Sequence, residues 1–530
     1  MHDYVIVGAG TAGCVLANRL SADPSVHVLL LEAGGPDSRA EIHIPAAFSR
    51  LFKTETDWAY HTEPQPRLAS RELFWPRGKV LGGSSAINAM IYIRGHAADY
   101  DGWAEAGCTD WDYESVLPYF KRSEDNARGA DRYHGVGGPM RVEDPRDPHP
   151  LSRRFVEAGR QAGLPLNADF NGAEQEGVGL YQLHQRRGRR ASGATAFLKP
   201  VLGRKNLTVL TGAHVTRVHF EGRRATGVEV VRAGGTERVE ASQEVVLCGG
   251  AVNTPQLLLL SGVGPADALR RLGVDVVADR PEVGENLQDH LIVGVRYRSR
   301  AGGTLLSADS PLSVARYLVG RRGLLSSNVA EAGGFAFMRS GPAPDLQFHC
   351  APGLFWKHGL EPPTEHGFSL GPTLVRTASR GRITLRNTSP FAPPAIDPNY
   401  LASEGDLDTL VRGVQLAREI AAQPAYDDVR GEELTPGPDA RTTTEIARFV
   451  RETCETLYHP VGTCRMGPDE AAVVDLDLRV NGVEGLRVVD ASVMPQIVNG
   501  NTNAPVMMIA EKAADLILQD AALAESSAEA

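Results

Sequence analysis

The N-terminal segment carries the pattern that most narrowly limits the fold. A β-branched run from Tyr4 to Val7 leads into Gly8-Ala9-Gly10-Thr11-Ala12-Gly13, and a second apolar run, 26–31, ends at Glu32. The residues between the two runs, 14–20, have the apolar spacing of a helix. Strand, glycine-rich turn, helix and strand in this order predict a βαβ unit of a Rossmann-like α/β domain.

The three glycines and the closing acid of this unit have the positions that dinucleotide binding requires. Gly8 permits a tight turn, Gly10 lets the backbone approach a pyrophosphate, and Gly13 lets helix and strand pack closely. Glu32 ends the second strand, where a carboxylate accepts from a ribose hydroxyl. The alternative is a glycine-rich turn in an unrelated α/β fold, and the unit alone does not separate NAD from FAD.

The charge balance limits the partners. The 530 residues include 55 Lys and Arg against 65 Asp and Glu, a net charge of −10. Because this charge repels a phosphate backbone, we expect no nucleic-acid partner. The densest basic run, 186–190, is interpreted as a solvated loop.

Cysteine spacing and hydropathy bear on location. The six cysteines are scattered without a CxxC pair, which predicts buried thiols and neither a disulfide framework nor a metal site. No signal-peptide pattern precedes Tyr4, and no apolar stretch of about 18 residues predicts a transmembrane helix. We therefore expect a cytoplasmic protein whose membrane contact, if any, is peripheral.

Two later segments extend the predicted nucleotide site. The glycine- and serine-dense stretch 77–88 offers amides and hydroxyls to an extended cofactor. Near the C-terminus, an apolar strand delivers Asp490, and Asn503 and Pro505 are placed as cap and first turn of a helix from 506 to about 518. The positive end of that helix would stabilise the negative charge of a reduced flavin.

These segments together resemble the glucose-methanol-choline family of FAD-dependent oxidoreductases. The resemblance rests on 78–88 and 250–264, which look like the two family signatures, on the C-terminal stretches 458–462 and 501–503, and on the N-terminal unit. The stretches 92–96, 286–290 and 457–467 are most similar to bacterial acceptor-linked aliphatic alcohol dehydrogenases and choline dehydrogenases.

The resemblance implies an α/β chain, α+β overall, with two domains. The Rossmann-like FAD-binding domain would be discontinuous, built from 1–155, 195–290 and 455–530. The substrate domain, 156–194 and 291–454, would contain an antiparallel sheet with helices. FAD contacts are implied at Gly8, Gly10, Thr11, Ala12, Gly13, Glu32, Ala33, Gly78, Leu81, Gly82, Gly83, Ser84, Asn88, Ala89, Met90, Val215, Ala251, Tyr458, Asp490, Ala491, Asn501, Thr502 and Asn503.

The family chemistry assigns two catalytic residues. Oxidation of an alcohol removes the hydroxyl proton and moves hydride to the flavin N5. His459 would be the base, because imidazole titrates near 6.5 and is available in its neutral form. Asn501 would donate to the substrate oxygen as alkoxide character develops. His290 and His96 are interpreted as structural or as supporting the catalytic residues without touching the substrate.

Two departures from the family pattern refine the expected function. Ile87 stands where covalent flavoproteins carry a histidine, so the FAD should be bound without a covalent link. Choline-oxidising members of the family carry an acid just after the Asp-His pair, but in this chain Asp289-His290 is followed by Leu291-Ile292. The absence of that counter-charge favours a neutral alcohol over choline.

The resemblance implies oxidation of a primary alcohol to the aldehyde, with electrons passed to a quinone or another non-NAD acceptor. Since the similar alcohol dehydrogenases associate with the inner membrane, it also implies that any peripheral membrane contact is on the inner face of the cell membrane. The alternatives are an alcohol oxidase of the same fold that uses O₂, a choline dehydrogenase, and a flavin-binding protein without chemistry. The segment 312–322 combines apolar residues with arginines and could rest on an anionic bilayer, although a solvated amphipathic helix is favoured. Aromatic and aliphatic residues of 324–356 would supply the substrate pocket, with most of them in the core.

Overall fold

The computed structural model describes residues 2–529, and the chain folds around two large sheets. Their strands, in chain order, are β1 (His2–Val7), β2 (Val28–Leu31), β3 (Gly177–Leu180), β4 (Leu207–Leu210), β5 (His214–Glu221), β6 (Arg224–Arg232), β7 (Gly235–Leu247), β8 (Leu291–Ile292), β9 (Val295–Ser299), β10 (Ala332–Ala336), β11 (Leu346–Ala351), β12 (Gly367–Leu374), β13 (Arg430–Thr435), β14 (Glu455–Thr456) and β15 (Leu486–Val488).

The helices pack on the faces of these sheets. In chain order they are α1 (Thr11–Leu20), α2 (Ala40–His43), α3 (Ala97–Glu105), α4 (Tyr113–Ser123), α5 (Pro150–Gln161), α6 (Gly250–Leu260), α7 (Ala266–Leu272), α8 (Pro311–Gly320), α9 (Glu404–Ala421), α10 (Thr443–Thr453) and α11 (Asn503–Glu529). Short two-stranded pairs join Tyr60–His61 to Phe74–Trp75, Glu124–Asn126 to Met140–Val142, Gln185–Arg186 to Arg189–Arg190, Val263–Gly264 to Ala278–Asp279, and Arg382–Thr384 to Ala395–Asp397.

The first sheet has a parallel centre. The strand order is β4-β2-β1-β7-β6-β5, and β15 adds to the other side of β7. Val5 of β1 pairs with Leu29 of β2 and with Val245 of β7, all in parallel register. These strands are continuous apolar runs because helices cover both faces of such a sheet. The predicted βαβ unit is therefore present as β1, α1 and β2.

The long strand β7 joins this parallel centre to an antiparallel extension. Its C-terminal part, 244–247, pairs in parallel with β1 and β15. Its N-terminal part, 235–240, pairs antiparallel with β6, which in turn pairs with β5. Most of the N-terminal part of β7 is exposed, whereas Val245, Val246 and Leu247 are fully buried.

The second sheet is antiparallel throughout. Its strand order is β13-β9-β12-β11-β10-β3, with β8 paired to both β12 and β14. Helices α5, α9 and α10 cover one face and form a separate apolar core with it. The antiparallel sheet and the Rossmann-like sheet confirm the predicted fold class. The domain boundaries remain a prediction, although the strands of each sheet, except β14, fall within the ranges expected for their domain.

The C-terminal helix differs from its prediction. It runs from Asn503 to Glu529, and not from 506 to about 518. Helix α11 packs against α1 and α4, and its apolar residues up to Ile517 belong to the core of the first sheet. The Val506 amide donates to Thr502 O, and Asp520 pairs with Arg479 and Arg487, so the helix begins before the predicted span and continues beyond it.

A buried ionic network stabilises the segment between α4 and β3. Glu124 accepts from Arg94 Nη2 at 2.7 Å and lies 3.0 Å from His134 Nδ1, while His134 Nε2 lies 2.8 Å from Asp169 Oδ2. Burial by itself lowers the pKa of His134, but hydrogen bonds to Asp169 and Glu124 outweigh it and raise the pKa to about 9. His134 is therefore a cation at neutral pH, held between two carboxylates.

The network predicts a loss of stability at alkaline pH. The pKa of His134 is raised on folding, so its contribution is complete below about 6.5 and disappears as the pH rises through about 9. Unfolding of the wild type should release up to about one proton from His134 between pH 7 and 9.5. We therefore expect the unfolding free energy of His134→Gln to depend less on pH over this range, by up to about one proton. Thermal unfolding of wild type and variant across this range measures the difference.

The matched control is His219→Gln, because burial lowers the pKa of His219 and leaves it neutral throughout this range. Its pH dependence should match that of the wild type. Parallel curves for His134→Gln and the wild type would contradict the assigned role of the network.

Candidate active site

A long cavity lies between the two sheets, and most of the predicted site residues line it. These are Gly8, Gly10, Thr11, Ala12, Glu32, Ala33, Gly78, Gly83, Ser84, Asn88, Ala89, Met90, Val215, Ala251, Tyr458, His459, Asp490, Ala491, Asn501, Thr502 and Asn503. Residues from the N-terminus, the middle and the C-terminus of the chain thus meet at one surface.

Gly13, Leu81 and Gly82 do not line the cavity and support its wall from behind. A Cβ on Gly13 would lie 1.9 Å from the Gly8 carbonyl oxygen, so α1 can approach β1 only at a glycine. The Leu81 amide donates to Gly35 O at 3.0 Å, and the Gly82 amide donates to Ala9 O at 2.8 Å. These bonds attach the glycine- and serine-dense segment to the βαβ turn.

The glycine turn has the geometry that a phosphate group requires. Gly8 has a φ of +102°, which favours glycine, and its backbone passes within contact of Cys248. A Cβ at Gly10 would meet no atom within 4 Å, so the backbone there faces open space in the cavity. A pyrophosphate could approach the chain closely at this point.

Three helices begin at the cavity wall. Helices α1, α6 and α11 start at Thr11, Gly250 and Asn503, and all three residues line the cavity. The helix dipole places partial positive charge at each N-terminus. Asp490 Oδ2 accepts from the Gly250 amide at 2.8 Å and from Thr254 Oγ1 at 2.6 Å, which fixes the start of α6. The cavity is thus suited to anionic groups.

The prediction that Asn503 caps the last helix was wrong. Asn503 is the first residue of α11. Its Oδ1 accepts from Thr11 Oγ1 at 2.6 Å, and its Nδ2 donates to His184 Nδ1 at 2.8 Å. The side chain therefore ties α11 to the start of α1 beside the cavity.

Glu32 is buried at the end of β2. Its Oε2 accepts from the Ala9 amide at 2.9 Å and its Oε1 accepts from the Gly34 amide at 2.8 Å. Burial raises the pKa of Glu32 to about 7 although both amides oppose the shift. Each carboxylate oxygen keeps a free lone pair, and Glu32 lines the cavity, so a ribose hydroxyl could donate to it.

The basic run 186–190 was expected to be a solvated loop, and Arg186, Arg187 and Arg189 are exposed as expected, whereas Arg190 is not. It forms the hairpin Gln185–Arg186 and Arg189–Arg190, in which Arg190 is only 3% exposed. Arg190 donates to Asn88 Oδ1 at 2.7 Å, to Ser85 O at 3.2 Å and to Ile42 O at 2.7 Å. This arginine therefore fixes the glycine- and serine-dense segment beside the cavity.

His459 and Asn501 face each other in the cavity. Asn501 Nδ2 lies 3.2 Å from His459 Nε2, and Asn501 Oδ1 accepts from Gln347 Nε2 at 3.3 Å. His459 comes from the loop after β14, Asn501 from the loop before α11, and Gln347 from β11. The two residues predicted to be catalytic are thus brought together by elements from both sheets.

The hydrogen bonds around His459 determine which of its nitrogens carries the proton. His290 Nε2 lies 3.1 Å from Val375 O, and a carbonyl only accepts, so His290 donates from Nε2. Its Nδ1 is then an acceptor, and His459 Nδ1 donates to it across 3.0 Å. His459 Nε2 is left with a lone pair, which accepts from Asn501 Nδ2. The unprotonated nitrogen therefore faces the cavity.

Asp289 fixes the backbone of His459. Its Oδ1 accepts from the His459 amide at 2.7 Å, and its Oδ2 accepts from Thr456 Oγ1 at 2.6 Å and from the Tyr400 hydroxyl. Burial raises the pKa of Asp289 to about 6. Two consecutive residues thus hold His459. Asp289 binds the backbone amide of His459, and His290 binds the imidazole ring of His459. Of the two roles expected for His290, structural or supporting the catalytic residues, the contact with His459 favours the second, although the partner could not be named from the sequence.

The electrostatics keep His459 neutral. Burial lowers its pKa well below 6.5, and His290, His349 and Arg77 lower it further. His290 and His349 are also buried, and burial lowers the pKa of each to about 3. The three imidazoles are therefore neutral at physiological pH, as a proton acceptor in this position must be.

Several polar atoms on the cavity wall are buried and have no partner within residues 2–529. These are Arg77 Nε, Asn328 Oδ1 and His349 Nε2. Buried polar groups are normally paired, because an unpaired one costs about 1–3 kcal/mol. These three enclosed atoms lower the stability of the cavity wall.

The second sheet supplies the other wall. Ile292, Phe355, Ser369 and Gly371 line the cavity there. Of the residues expected to form the substrate pocket, Phe355 lines it, whereas Phe335, Phe348 and Leu354 are buried and absent from the lining.

Within residues 2–529, no group of three or more His, Cys, Asp or Glu side chains is placed to hold a metal ion. In the same residues, no helix is both long enough and apolar enough to cross a bilayer. The six cysteines are buried and unpaired, as the sequence predicts.

Comparisons with known proteins agree with the sequence signatures. Two family models described as GMC oxidoreductase match residues 2–292 and 377–510. The chain is 47% identical to a Pseudomonas putida alcohol dehydrogenase [acceptor] over 100% of this chain and 98% of that protein. It is also 47% identical to the mitochondrial choline dehydrogenase of Mus musculus, over 99% and 91% of the two chains.

A solved structure has the same fold. The Aspergillus oryzae formate oxidase, in a variant studied for its effect on FAD modification, superposes with a TM-score of 0.91 at 30% identity and covers 98% of both chains. The same family is supported by the two matching family models, by relatives that align over nearly their whole length, and by the shared fold. The chain is therefore an oxidoreductase that belongs to the GMC oxidoreductase family.

Proposed function

We propose that the protein oxidises a primary alcohol to the aldehyde with FAD as its cofactor. The observation that carries this proposal is the pair formed by His459 Nε2 and Asn501 Nδ2, 3.2 Å apart at the cavity surface. An unprotonated nitrogen beside an amide donor is the arrangement that an alcohol needs, since one group removes its proton and the other stabilises its oxygen.

The cavity wall fits FAD at several points. Gly10 and the start of α1 would hold the pyrophosphate, and Glu32 would accept from a ribose hydroxyl. The start of α11 would face the flavin, where its partial positive charge would stabilise the reduced, anionic form, whereas the Asp490 carboxylate already occupies the start of α6. When bound, FAD supplies the acceptor for the hydride.

The chain's own residues handle the proton and the orientation of the alcohol. Asn501 donates from Nδ2 to the substrate oxygen, and Gln347 keeps the Asn501 amide in the orientation that allows this. His459 accepts the hydroxyl proton at Nε2. His290 accepts from Nδ1 of His459 and so holds that ring in the orientation and tautomer that leave Nε2 free to take the proton.

We propose that the FAD is held without a covalent bond. Ile87 lines the cavity and is almost completely buried. An aliphatic side chain has no nucleophile with which to form a link to the flavin. A flavin mass retained on the denatured protein would contradict this assignment.

The electrostatics support a neutral alcohol over choline. Ile292 lines the cavity, and Glu455 stands beside it on the neighbouring strand. Glu455 supplies the acid that could have met a trimethylammonium group, but its carboxylate lies 3.1 Å from Arg71 Nη1 and 3.2 Å from His358 Nε2. An acid already paired with a guanidinium has little attraction left for a cationic substrate.

We propose a quinone or another non-NAD acceptor for the electrons. The support is the likeness to the acceptor-linked alcohol dehydrogenase of Pseudomonas putida. Oxygen is the alternative acceptor, and the likeness to formate oxidase is the observation that supports this alternative.

Anaerobic reduction of the bound flavin tests the proposed activity. We expect a neutral primary alcohol to bleach the visible flavin absorption of the purified protein and to yield the aldehyde, because His459 and Asn501 are positioned for a neutral hydroxyl. Recovery of the colour should be slow in air and fast with an added quinone.

Choline under the same conditions is the control for substrate charge. Bleaching by choline alone would contradict the assignment of a neutral alcohol, and fast recovery in air with formation of peroxide would establish the oxidase alternative. Failure of every alcohol to bleach a bound flavin would contradict the proposed function itself.

Replacement of His459 tests the base. We expect His459→Ala to lower the rate constant of flavin reduction on the order of 10²–10⁴-fold with the flavin still bound. In the wild type this rate constant should stay level as the pH falls to 6.5 and decline only below it, because the pKa of His459 is well below 6.5 and the neutral form reacts. Stopped-flow spectroscopy measures both effects.

The matched control is His219→Gln, a histidine on β5 outside the cavity lining, which should reduce at the wild-type rate. An acid limb at or above pH 6.5, or a His459→Ala rate constant within a few-fold of wild type, would show that another group is the base.

A further inference from the structure

An arginine without a carboxylate partner lies on the wall of the cavity opposite the cofactor-binding turn. Arg296 lies on β9, opposite Ser369 of β12, and both residues line the cavity. His349 of β11 lines the same wall, opposite Gly371 of β12. Since side chains alternate along strands, this sheet face is continuous with Gln347, which contacts Asn501.

The Arg296 guanidinium is fixed in place. It lies over the Trp356 ring, 4.3 Å from the ring centroid. Its Nε donates to Phe355 O at 2.9 Å, and its Nη1 donates to Gly294 O at 3.2 Å and to Thr435 Oγ1 at 3.3 Å. Four different residues therefore hold the planar group in one orientation.

The side chain is folded back along its strand toward the catalytic pair. The Arg296 Cζ atom lies 2.5 Å from the position that a Cβ on Gly294 would take. Any larger residue at Gly294 would displace the guanidinium. The glycine thus permits the arginine to occupy the space between its own strand position and the reaction centre.

One edge of the guanidinium is free. Within residues 2–529, Arg296 Nη2 donates to no acceptor, and it is not among the enclosed polar atoms without a partner, so it keeps access to the cavity. No carboxylate in these residues lies within the 4.0 Å of an ion pair with Arg296. The acid that acts electrostatically on Arg296 is Glu455, and its carboxylate is already paired with Arg71 and His358.

The surroundings of this guanidinium favour the binding of an anion. Burial lowers the pKa of Arg296 to about 10, and the group remains a cation at neutral pH. A charge removed from water without a counter-charge is costly, and an arginine pairs best with the planar, bidentate oxygens of a carboxylate. Arg71 pairs with Glu455 and Lys357 pairs with Glu361, so the positive charge of Arg296 stays without a carboxylate partner on this wall.

We propose that Arg296 binds a carboxylate at the far end of the substrate, so that the substrate is a hydroxy acid. This inference rests on the proposed alcohol oxidation and deepens it by naming the substrate class. With about 3.3 Å per residue along a strand and about 4.8 Å between strands, the guanidinium lies on the order of 10 Å from the catalytic pair. The hydroxyl and the carboxylate are therefore at opposite ends of a medium-length chain, as in an ω-hydroxyalkanoate.

Binding of a carboxylate that cannot react is the first test. Octanoate should perturb the visible flavin spectrum of the holoenzyme in a saturable way, whereas octanamide, of the same shape but uncharged, should bind at least about 10-fold more weakly. The preference for octanoate should be lost in Arg296→Gln and kept in part in Arg296→Lys. Equal binding of the two compounds to the wild type would overturn the proposal.

The kinetic test compares 8-hydroxyoctanoate with its methyl ester. We expect the wild type to prefer the acid by about 10- to 100-fold in kcat/KM, carried by KM, and Arg296→Gln to reduce this ratio to about 1. Arg298→Gln is the matched control, because Arg298 lies two residues along the same strand, exposed and paired with Glu365 and Glu432. Its ratio should equal that of the wild type.

The outcomes separate the two proposals. Oxidation of the ester without a preference for the acid, or a preference that survives in Arg296→Gln, would overturn the role of Arg296 and leave alcohol oxidation standing. Failure of both compounds to reduce the flavin would overturn alcohol oxidation, and the hydroxy-acid assignment with it.

Discussion

A chain of hydrogen bonds with a fixed direction determines the chemistry of the site. It begins at the Val375 carbonyl, which only accepts, and passes through His290 and His459 to Asn501. Each bond dictates the protonation of the next ring, so the lone pair of His459 faces the cavity. Burial lowers the pKa values of the rings in this chain and keeps them neutral. The position of each end of the chain depends in turn on the second sheet, which supplies Val375 and Gln347.

The cofactor side depends on close backbone contacts. Gly8 and Gly13 let α1 approach β1, and Gly10 leaves open space in front of the helix start. The starts of α6 and α11 reach the same cavity. Because partial positive charge gathers at these helix ends, the wall suits both a pyrophosphate and a reduced flavin. One cavity thus joins a wall suited to anionic cofactor groups to the catalytic pair.

The sequence predicts the local parts of this structure better than the distant contacts. The βαβ unit follows from spacing within a few residues, and the sheet has it as expected. His459 and Asn501 lie on separate loops, and only the family resemblance predicted that they act together. The role of His290 depends on a residue 169 positions away, which periodicity cannot reveal. Arg190 and Arg296 were missed for a related reason, since a charged residue in a strand or hairpin is expected in solvent, and only tertiary contacts bury Arg190 and place Arg296 on the cavity wall.

The protonation of His459 in the holoenzyme tests the account most directly. Nitrogen NMR of the protein labelled with ¹⁵N-histidine at pH 7, with the His459 signals assigned by their loss in His459→Ala, distinguishes the two nitrogens of the ring. The account predicts a neutral ring with the proton on Nδ1 and a bare Nε2, unchanged when the pH is lowered to 6.5. A proton on Nε2, or an imidazolium at pH 7, would contradict the hydrogen-bond direction from which the function of the site has been derived.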